Sequence, residues 1–270
     1  MLSPGCLSRK QGVKVVTRNE GEIVINDIAV LSTTRMLVTD GTHITLRLVD
    51  SQDGGLLCKV ALPDLLWGVC VLKDGRAAVT LPYEKRIQFI CVEGDSLSMD
   101  RSIHVNGNVA GIAAFGDHLV VSYWNPGRVE KINMAGKVAQ TLNNRNVEKE
   151  QFMSPNYIAI AENRFIFVSD IETNTITQLD ENLSVLQTFT SPMLKMSFGI
   201  VSVNKTQLLV ADHKSHNILV LDTTTSNVTP LLGQAEKIHY PGAVAWCPAS
   251  NTLYVCSAYY LVKTITKFES

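Results

Sequence analysis

Short apolar segments recur at nearly constant spacing along the chain, and each is followed by polar or turn-forming residues that lead into another apolar stretch. Each segment contains a valine after apolar neighbours, and these valines are Val38, Val79, Val121, Val168, Val210 and Val255. The gaps between successive valines run from 41 to 47 residues. A period of about 40 to 50 residues is typical of four-stranded blades arranged around an axis. The pattern therefore predicts an all-β fold, a six-bladed β-propeller.

The predicted strands also indicate how this ring closes. The repeat predicts blades at 25–64, 65–106, 107–152, 153–194, 195–239 and 240–270. The last blade has only three predicted strands, whereas a spare strand at 13–17 precedes the first blade. Pairing the two would remove the open edges that a linear array exposes. We therefore predict an N-terminal extension at 1–12 and, at 13–270, a propeller whose last blade is completed by the N-terminal strand.

Composition narrows the classes of function. Hydrophobic residues make up 46% of the chain and charged residues 18%, and the formal net charge is -1. This balance is not that of a strongly basic nucleic-acid-binding protein, although a local basic patch is compatible with it. No run of about 18 apolar residues is present, and the first ten residues lack the apolar core of a signal peptide. We expect a monomeric cytoplasmic domain without a membrane segment, and one that is either complete or part of a longer protein.

Neither the cysteines nor the known catalytic motifs predict a reactive site in this chain. The six cysteines form no CxxC pair and no Cys/His cluster with zinc spacing, so we predict reduced thiols packed in apolar strands. The chain contains no GxSxG, HExxH or glycine-rich phosphate-binding motif. His213 and His216 would need ligands from other blades to hold a metal, and we expect them to be exposed loop imidazoles. The sequence thus predicts no catalytic residue, no metal site and no cofactor.

Three aspartates follow a strand in a V-x-D pattern, at Asp40, Asp170 and Asp212. A carboxylate at the end of a strand accepts hydrogen bonds from the backbone amides of the turn that follows. We therefore predict that these aspartates cap turns rather than bind a ligand.

The segments around these aspartates carry a longer motif that repeats between blades. Blade four reads MSPNYIAI at 153–160 and FIFVSD at 165–170, and blades five and six repeat parts of it at 198–201, 209–212, 217–220 and 240–245. This pattern resembles the NHL repeat, in which P-x-G-I-A precedes a strand ending in V-x-D and then N-x-I-x-V. The propellers of TRIM-NHL ubiquitin ligases, especially of the invertebrate type, are similar over about residues 24–270. Leu81, Tyr123 and Ser257 stand where the motif has Asp.

The resemblance implies a substrate-recognition domain. A RING finger, which ligase activity would require, is absent from the chain, so we expect this chain to be no enzyme. In a propeller, the loops between the second and third strands and those between blades share one face. Candidate binding residues in these loops are Trp67, Tyr83, Arg86, Asn108, Tyr123, Trp124, Arg128, Tyr157, Lys195, Phe198, His213, Tyr240 and Tyr259. Aromatic and arginine side chains are frequent contact groups in interfaces, and the loop at 123–128 is the clearest candidate.

Three functional hypotheses follow, and the first is a platform that binds a protein partner. The second is RNA binding through aromatic pockets and a basic face, to which Arg86, Arg128, Lys195 and Lys214 would contribute. The third is a metal-dependent hydrolase similar to lactonases, whose metal lies at the start of the inner strands. Asn108 and Asn156 fit that third hypothesis, but Phe198 and Gly242 at the matching positions offer no side-chain ligand.

Overall fold

The fold was analysed on a computed structural model, which describes residues 2–3, 5–17, 20–52, 55–143, 151–257, 262 and 264–270. Two short strands, β1 (Ser8–Arg9) and β2 (Val13–Lys14), precede the blades. The remaining strands form six antiparallel sheets, and the only helix within the described residues is a short 3-10 turn at Gln234–Glu236. The prediction of an all-β, six-bladed propeller is confirmed.

Each blade has the same up-and-down topology, with strands following one another from the inside to the outside of the ring. Blade 1 contains β3 (Ile25–Val30), β4 (Arg35–Asp40), β5 (Thr45–Asp50) and β6 (Leu56–Ala61). Blade 2 contains β7 (Val69–Val71), β8 (Ala77–Leu81), β9 (Arg86–Glu93) and β10 (Ser96–His104). Blade 3 contains β11 (Val109–Phe115), β12 (His118–Tyr123), β13 (Arg128–Asn133) and β14 (Val138–Asn143).

The second half of the ring repeats this order. Blade 4 contains β15 (Pro155–Ile160), β16 (Ile166–Asp170), β17 (Thr175–Leu179) and β18 (Val185–Phe189). Blade 5 contains β19 (Ser197–Ser202), β20 (Gln207–Asp212), β21 (Asn217–Asp222) and β22 (Val228–Leu232). Blade 6 contains β23 (Pro241–Cys247), β24 (Thr252–Ser257) and β25 (Thr264–Glu269). Each inner strand contacts the inner strands of both neighbouring blades, so β3, β7, β11, β15, β19 and β23 form a ring.

Burial follows the position of a strand within its blade. The second strands β8, β16 and β20 are buried at every residue, because a neighbouring blade covers each face of the sheet. Their continuous apolar runs, such as AAV at 77–79, suit this environment. The outermost strands are largely exposed, and their sequences are correspondingly polar. The apolar segments that recur in the sequence therefore correspond to the second strand of each blade.

The chain closes the ring in the predicted way. In blade 6, β25 pairs with β24 on one side and with β1 and β2 on the other. Val13 and Lys14, from the predicted spare strand, lie opposite Ile265 and Thr264. Ser8–Arg9, within the predicted N-terminal extension, also lies in this sheet, because Ser8 lies opposite Glu269. The first and last strands of the protein are thus adjacent.

A buried arginine connects blade 1 to the N-terminal segment. The Arg47 side chain is fully buried and donates to Asp40 Oδ2 from Nε (2.9 Å) and Nη2 (2.6 Å). Its Nη1 donates to the Val15 carbonyl (3.0 Å) and to Glu20 Oε2 (2.9 Å). Lys59 contacts the same Glu20 carboxylate. Hydrogen bonds from Arg47 hold the pKa of Glu20 well below its ordinary value of 4.5. A buried ion pair that is fully hydrogen-bonded in this way fixes one arrangement of the chain.

All six cysteines are free thiols. The prediction of buried thiols is confirmed for Cys70, Cys247 and Cys256, whereas the other three are partly exposed. Burial raises the pKa of Cys70 and Cys256 to about 12 in each case. Within the described ranges, no helix has the length and apolar character needed to cross a bilayer.

Candidate functional site

One face of the ring carries the turns between the second and third strands of the blades, together with the segments that lead into the inner strands. We call it the loop face. In the described residues its turns lie at 41–44, 82–85, 124–127, 171–174 and 213–216. The opposite face carries the turns between the first and second strands.

The V-x-D aspartates hold the loop face in place. Asp170 Oδ1 accepts the backbone amides of Glu172 and Thr173, while its Oδ2 accepts those of Met153 and Ser154. The Asp170 carboxylate therefore joins the turn after the second strand to the segment that leads into the inner strand.

The other two aspartates confirm the prediction that these residues cap turns. Asp212 Oδ1 accepts the amide of Ser215 and its Oδ2 accepts that of Lys195, and Asp40 Oδ1 accepts the amide of Thr42. Asp40, Asp170 and Asp212 are all fully buried. Their role is to make the loop face rigid.

Seven rings form a continuous line of contacts across the loop face, which we call the aromatic belt. It consists of Trp67, Trp124, Tyr157, Phe198, His213, His216 and Tyr240. The successive distances between ring centroids are Trp124–Trp67 5.0 Å, Trp67–Tyr157 6.4 Å, Tyr157–Phe198 6.3 Å, Phe198–His213 5.2 Å, His213–Tyr240 5.1 Å and Tyr240–His216 4.1 Å. Tilted and edge-on contacts at these distances are favourable. Six of the predicted binding residues therefore meet, from blades 2 to 6.

The belt has a buried floor and an accessible edge. Trp67, Tyr157 and Phe198 are buried, and they lie over the end of the central channel. Trp124 and Tyr240 are partly exposed. The floor is thus part of the core, and the edge is the part that a ligand can reach.

The two histidines of the belt are not the exposed loop imidazoles that the sequence suggested. Both are partly buried, and burial lowers the pKa of His213. The Tyr240 amide donates to His216 Nδ1 at 3.2 Å, which makes Nδ1 an acceptor and assigns the proton of the neutral ring to Nε2. His216 and His213 are therefore fixed in place by packing around Tyr240.

Tyr157 crosses the end of the channel. It projects from blade 4, and its hydroxyl donates to the backbone carbonyl of Asn26 in blade 1 at 2.7 Å. Asn26 in turn donates from Nδ2 to the Leu66 carbonyl at 2.7 Å. These bonds close the channel at the loop face and join opposite sides of the ring.

The loop at 123–128 is only partly available for binding. Tyr123 is 0% exposed and Arg128 is 9% exposed. The two lie opposite each other on adjacent strands, and the guanidinium carbon of Arg128 sits 3.7 Å from the centre of the Tyr123 ring. Arg128 also donates from Nε to Glu130 Oε1 at 2.7 Å. Trp124, Asn125 and Pro126 are the accessible residues of this loop.

The remaining candidates lie around the belt. Tyr83 is 63% exposed, Lys195 is exposed, and Arg86 is half-exposed beside Glu84. Asn108 is half-buried, and its carbonyl accepts the Trp124 amide. Tyr259 falls outside the described residues. No group of three or more His, Cys, Asp or Glu side chains in the described part of the chain is placed to hold a metal ion.

The channel contains an acidic residue that was not among the predicted binding residues. Asp27 of β3 lines a central cavity of about 370 Å³ together with residues of all six inner strands. Burial raises the pKa of Asp27 to about 7. An available signal was the comparison of blades, because Asp27 occupies the position that Gly68 and Gly111 take in blades 2 and 3.

Comparison with known proteins identifies the fold but not a family. No family of known proteins matches the chain, and no curated protein sequence matches it. It is similar in structure to catalytically inactive virginiamycin B lyase from Staphylococcus aureus with quinupristin (14% identity, 98% of this chain and 99% of that chain, TM-score 0.68). A streptogramin B lyase is also similar (10% identity, 97% of both chains, TM-score 0.67).

A third similar structure is a protein of unknown function from Bacteroides thetaiotaomicron (12% identity, 97% of this chain and 75% of that chain, TM-score 0.75). At these identities the likeness establishes the architecture alone. The chain is therefore a six-bladed β-propeller with lyases and proteins of unknown function among its structural neighbours.

Proposed function

We propose that this propeller is a non-catalytic recognition platform that binds a segment of a partner protein on its loop face. The observation that carries the proposal is the aromatic belt, which runs unbroken over five of the six blades. The buried rings hold the accessible rings at the edge in place, so that these offer contact area at little cost in side-chain entropy.

The edge of the belt supplies the contact groups. Trp124 and Tyr240 are partly exposed beside the buried floor, and Tyr83 projects from the neighbouring turn of blade 2. Tyrosine and tryptophan dominate the binding energy of many protein interfaces, because they combine apolar area with a hydrogen-bonding tip. Since the ring contacts within the belt hold Trp124 and Tyr240, the partner would bind a surface that is already formed there.

Charge favours a partner segment that carries acidic residues. Among the described residues, Lys85, Lys195, Lys214 and Lys237 are exposed on the loop face, whereas its exposed acidic residues are Glu22, Glu84 and Glu172. Opposite charges around an apolar centre raise association rates and fix the orientation of the partner.

RNA binding is the alternative that the same residues support. Exposed rings beside lysines suit unstacked bases and phosphates. Arg128, one of the four basic residues expected to contact RNA, instead lies buried against Tyr123. This placement reduces the basic surface and favours the protein partner.

The experiment uses cross-linking at matched positions. A photo-reactive phenylalanine analogue replaces Tyr83 on the loop face or, as a control, Met99 on β10 of the same blade, which is similarly exposed (63% and 56%). We expect defined peptide adducts from position 83 in RNase-treated lysate and none of them from position 99. Nucleotide adducts at position 83, or the same adducts at both positions, would contradict the proposal.

Variants then test affinity with the partner so identified. Tyr83→Ala should weaken binding by about tenfold or more, as expected for a contact of hot-spot quality, whereas Met99→Ala should leave it unchanged.

Because two structural neighbours are lyases, quinupristin should also be incubated with the protein. It should remain intact by mass spectrometry, and its cleavage would show that the platform hypothesis is wrong.

A further inference from the structure

The central channel contains a cavity that the loop-face proposal does not use. It extends from Asp27 and Tyr157 to the far ends of the inner strands, at Val30, Val71 and Trp246. Tyr157 closes it at the loop face through the bond to Asn26. Access is therefore from the opposite face, and the cavity is separate from the surface on which the aromatic belt lies.

The side chains that line this cavity are mostly apolar, whereas the inner strands also present backbone polar groups to it. The lining consists of valine, isoleucine, alanine and glycine from the six inner strands, with the polar side chains of Asp27, Cys70, Tyr157, Ser202 and Trp246. Among the described residues that line it, the ionisable ones are Asp27, Cys70 and Tyr157. Burial raises the pKa of the Cys70 thiol to about 12, so this group is neutral at physiological pH. Asp27 is therefore the one carboxylic acid among the described residues that line the cavity.

Asp27 occupies a position that is glycine in the next two blades. In blades 1 to 3 the backbone amide at this position donates to a Ser or Thr hydroxyl on the second strand. The corresponding bonds are Asp27 to Thr39 (2.7 Å), Gly68 to Thr80 (2.8 Å) and Gly111 to Ser122 (2.9 Å). In blades 2 and 3 a Cβ atom would meet backbone oxygens of the next blade at 2.9 Å and 2.5 Å. A carboxyl at this position is therefore not required by the blade repeat.

Two backbone amides hold the Asp27 carboxyl group in place, but no positively charged side chain among the described residues pairs with it. Its Oδ1 accepts the amide of Ile28 (2.8 Å) and its Oδ2 accepts the amide of Val69 (3.0 Å). These two bonds fix its direction, and each oxygen keeps a further lone pair. Desolvation outweighs both bonds and raises the pKa of Asp27 to about 7, because no cation in the described residues faces the group.

We propose that the channel is a binding site for a small organic cation, an amine with a compact apolar body whose ammonium group pairs with Asp27. The apolar walls would contact the body of the ligand, and the ammonium group would donate to the lone pairs that the Ile28 and Val69 amides leave free. An anion is disfavoured by the carboxylate. A divalent metal ion is disfavoured because the described lining residues supply a single carboxylate, Asp27, and no group of metal-ligating side chains.

The experiment compares two probes of nearly equal shape, benzylamine and benzyl alcohol. Methyl resonances of Ile112, Val69 and Val244, which line the cavity, should shift saturably with benzylamine at pH 8. Benzyl alcohol should bind about tenfold more weakly, since it lacks the charge. Binding of benzylamine should weaken as the pH falls below 7, because protonation of Asp27 removes the carboxylate. The carboxyl carbon resonance of Asp27 should report a lower pKa when benzylamine is present.

Two variants of Asp27 separate the charge from the shape of the site. Asp27→Asn keeps the size of the side chain, and Asp27→Gly installs the residue that blades 2 and 3 already have. Either should abolish the preference for the amine, whereas Cys70→Ala, which alters the wall and keeps the carboxyl, should retain it. Equal binding of both probes, no saturable shift into the millimolar range, or an unchanged preference in either Asp27 variant would overturn the proposal. Partner cross-linking at Tyr83 does not depend on benzylamine binding. A negative result in one experiment therefore leaves the other proposal standing.

Discussion

The hydroxyl oxygen of Tyr157 lies 2.7 Å from the backbone carbonyl oxygen of Asn26, although the two residues belong to opposite blades. In a ring of six sheets, opposite blades share no strand pairing, so a side chain is needed to join them. Tyr157 does this at the centre of the aromatic belt, between Trp67 and Phe198. The same bond therefore closes the channel and braces the ring across its diameter.

Tyr157→Phe should reduce the free energy of unfolding by about 1 to 2 kcal/mol, because it leaves the buried Asn26 carbonyl without this donor. Chemical denaturation followed by tryptophan fluorescence measures the change. Tyr83→Phe removes a hydroxyl from an exposed ring and serves as the control, with no measurable effect expected. Equal stability of the two variants would show that the bond across the channel contributes nothing.

Arg47→Met should destabilise the protein by about 3 to 5 kcal/mol, since it leaves the buried carboxylate of Asp40 without its charged partner. The control is Arg35→Met, which breaks the exposed pair with Asp95 and should cost about 1 kcal/mol or less. Urea denaturation compares the two. If both variants lost the same stability, the buried pair would not be holding the N-terminal segment to blade 1.

Asp27 should make the protein less stable as the pH rises. Its pKa is about 7 in the folded state against an ordinary 3.8, so the native state holds the proton more tightly than the unfolded chain. The stability contributed by the protonated carboxyl is complete below about pH 4 and is lost as the pH rises through 7. Relative to wild type, Asp27→Asn should therefore gain stability between pH 5 and pH 8, as measured by denaturation at both values. A difference that is constant with pH would contradict the raised pKa.

Gly111→Ala should cost about 1 to 3 kcal/mol, because its new Cβ atom would lie 2.5 Å from the backbone oxygen of Asn156 in the next blade. Backbone atoms of two inner strands cannot move apart without opening the ring. Gly21→Ala is the matched control, since nothing lies within 4 Å of its Cβ position. Thermal unfolding of the pair tests whether inner strands approach this closely.

Much of the architecture could be predicted from the sequence, because the second strand of each blade is largely buried and therefore carries a run of apolar residues. Val79 and Val168, for example, are both fully buried at the same place in their blades. The capping of the following turn by Asp170 and Asp212 was also predictable, since it depends on local turn geometry, whereas their bonds to the segments before β15 and β19 were not predicted. Six members of the aromatic belt could be named because each lies in a loop whose face follows from the topology.

What could not be predicted was the direction of individual side chains. Tyr123 and Arg128 share a polar-looking loop, yet cross-strand pairing turns both into blade 3, where they stack on each other. Asp27 lies on an inner strand, outside the loops from which binding residues were predicted, so only a comparison of the blades could have drawn attention to it. Such positions depend on contacts between residues far apart in the chain.

Closure by the first and last strands has a consequence for synthesis of the protein. Ser8 lies opposite Glu269, so the ring cannot close until residue 269 has left the ribosome. Until then, the unpaired edge of β24 and the apolar segment at Val13 remain available to other chains, and exposed strand edges promote aggregation. A nascent chain therefore cannot close the ring until residues 264–269 have been synthesised. Substitutions in these residues should lower the yield of soluble protein before they alter any binding surface.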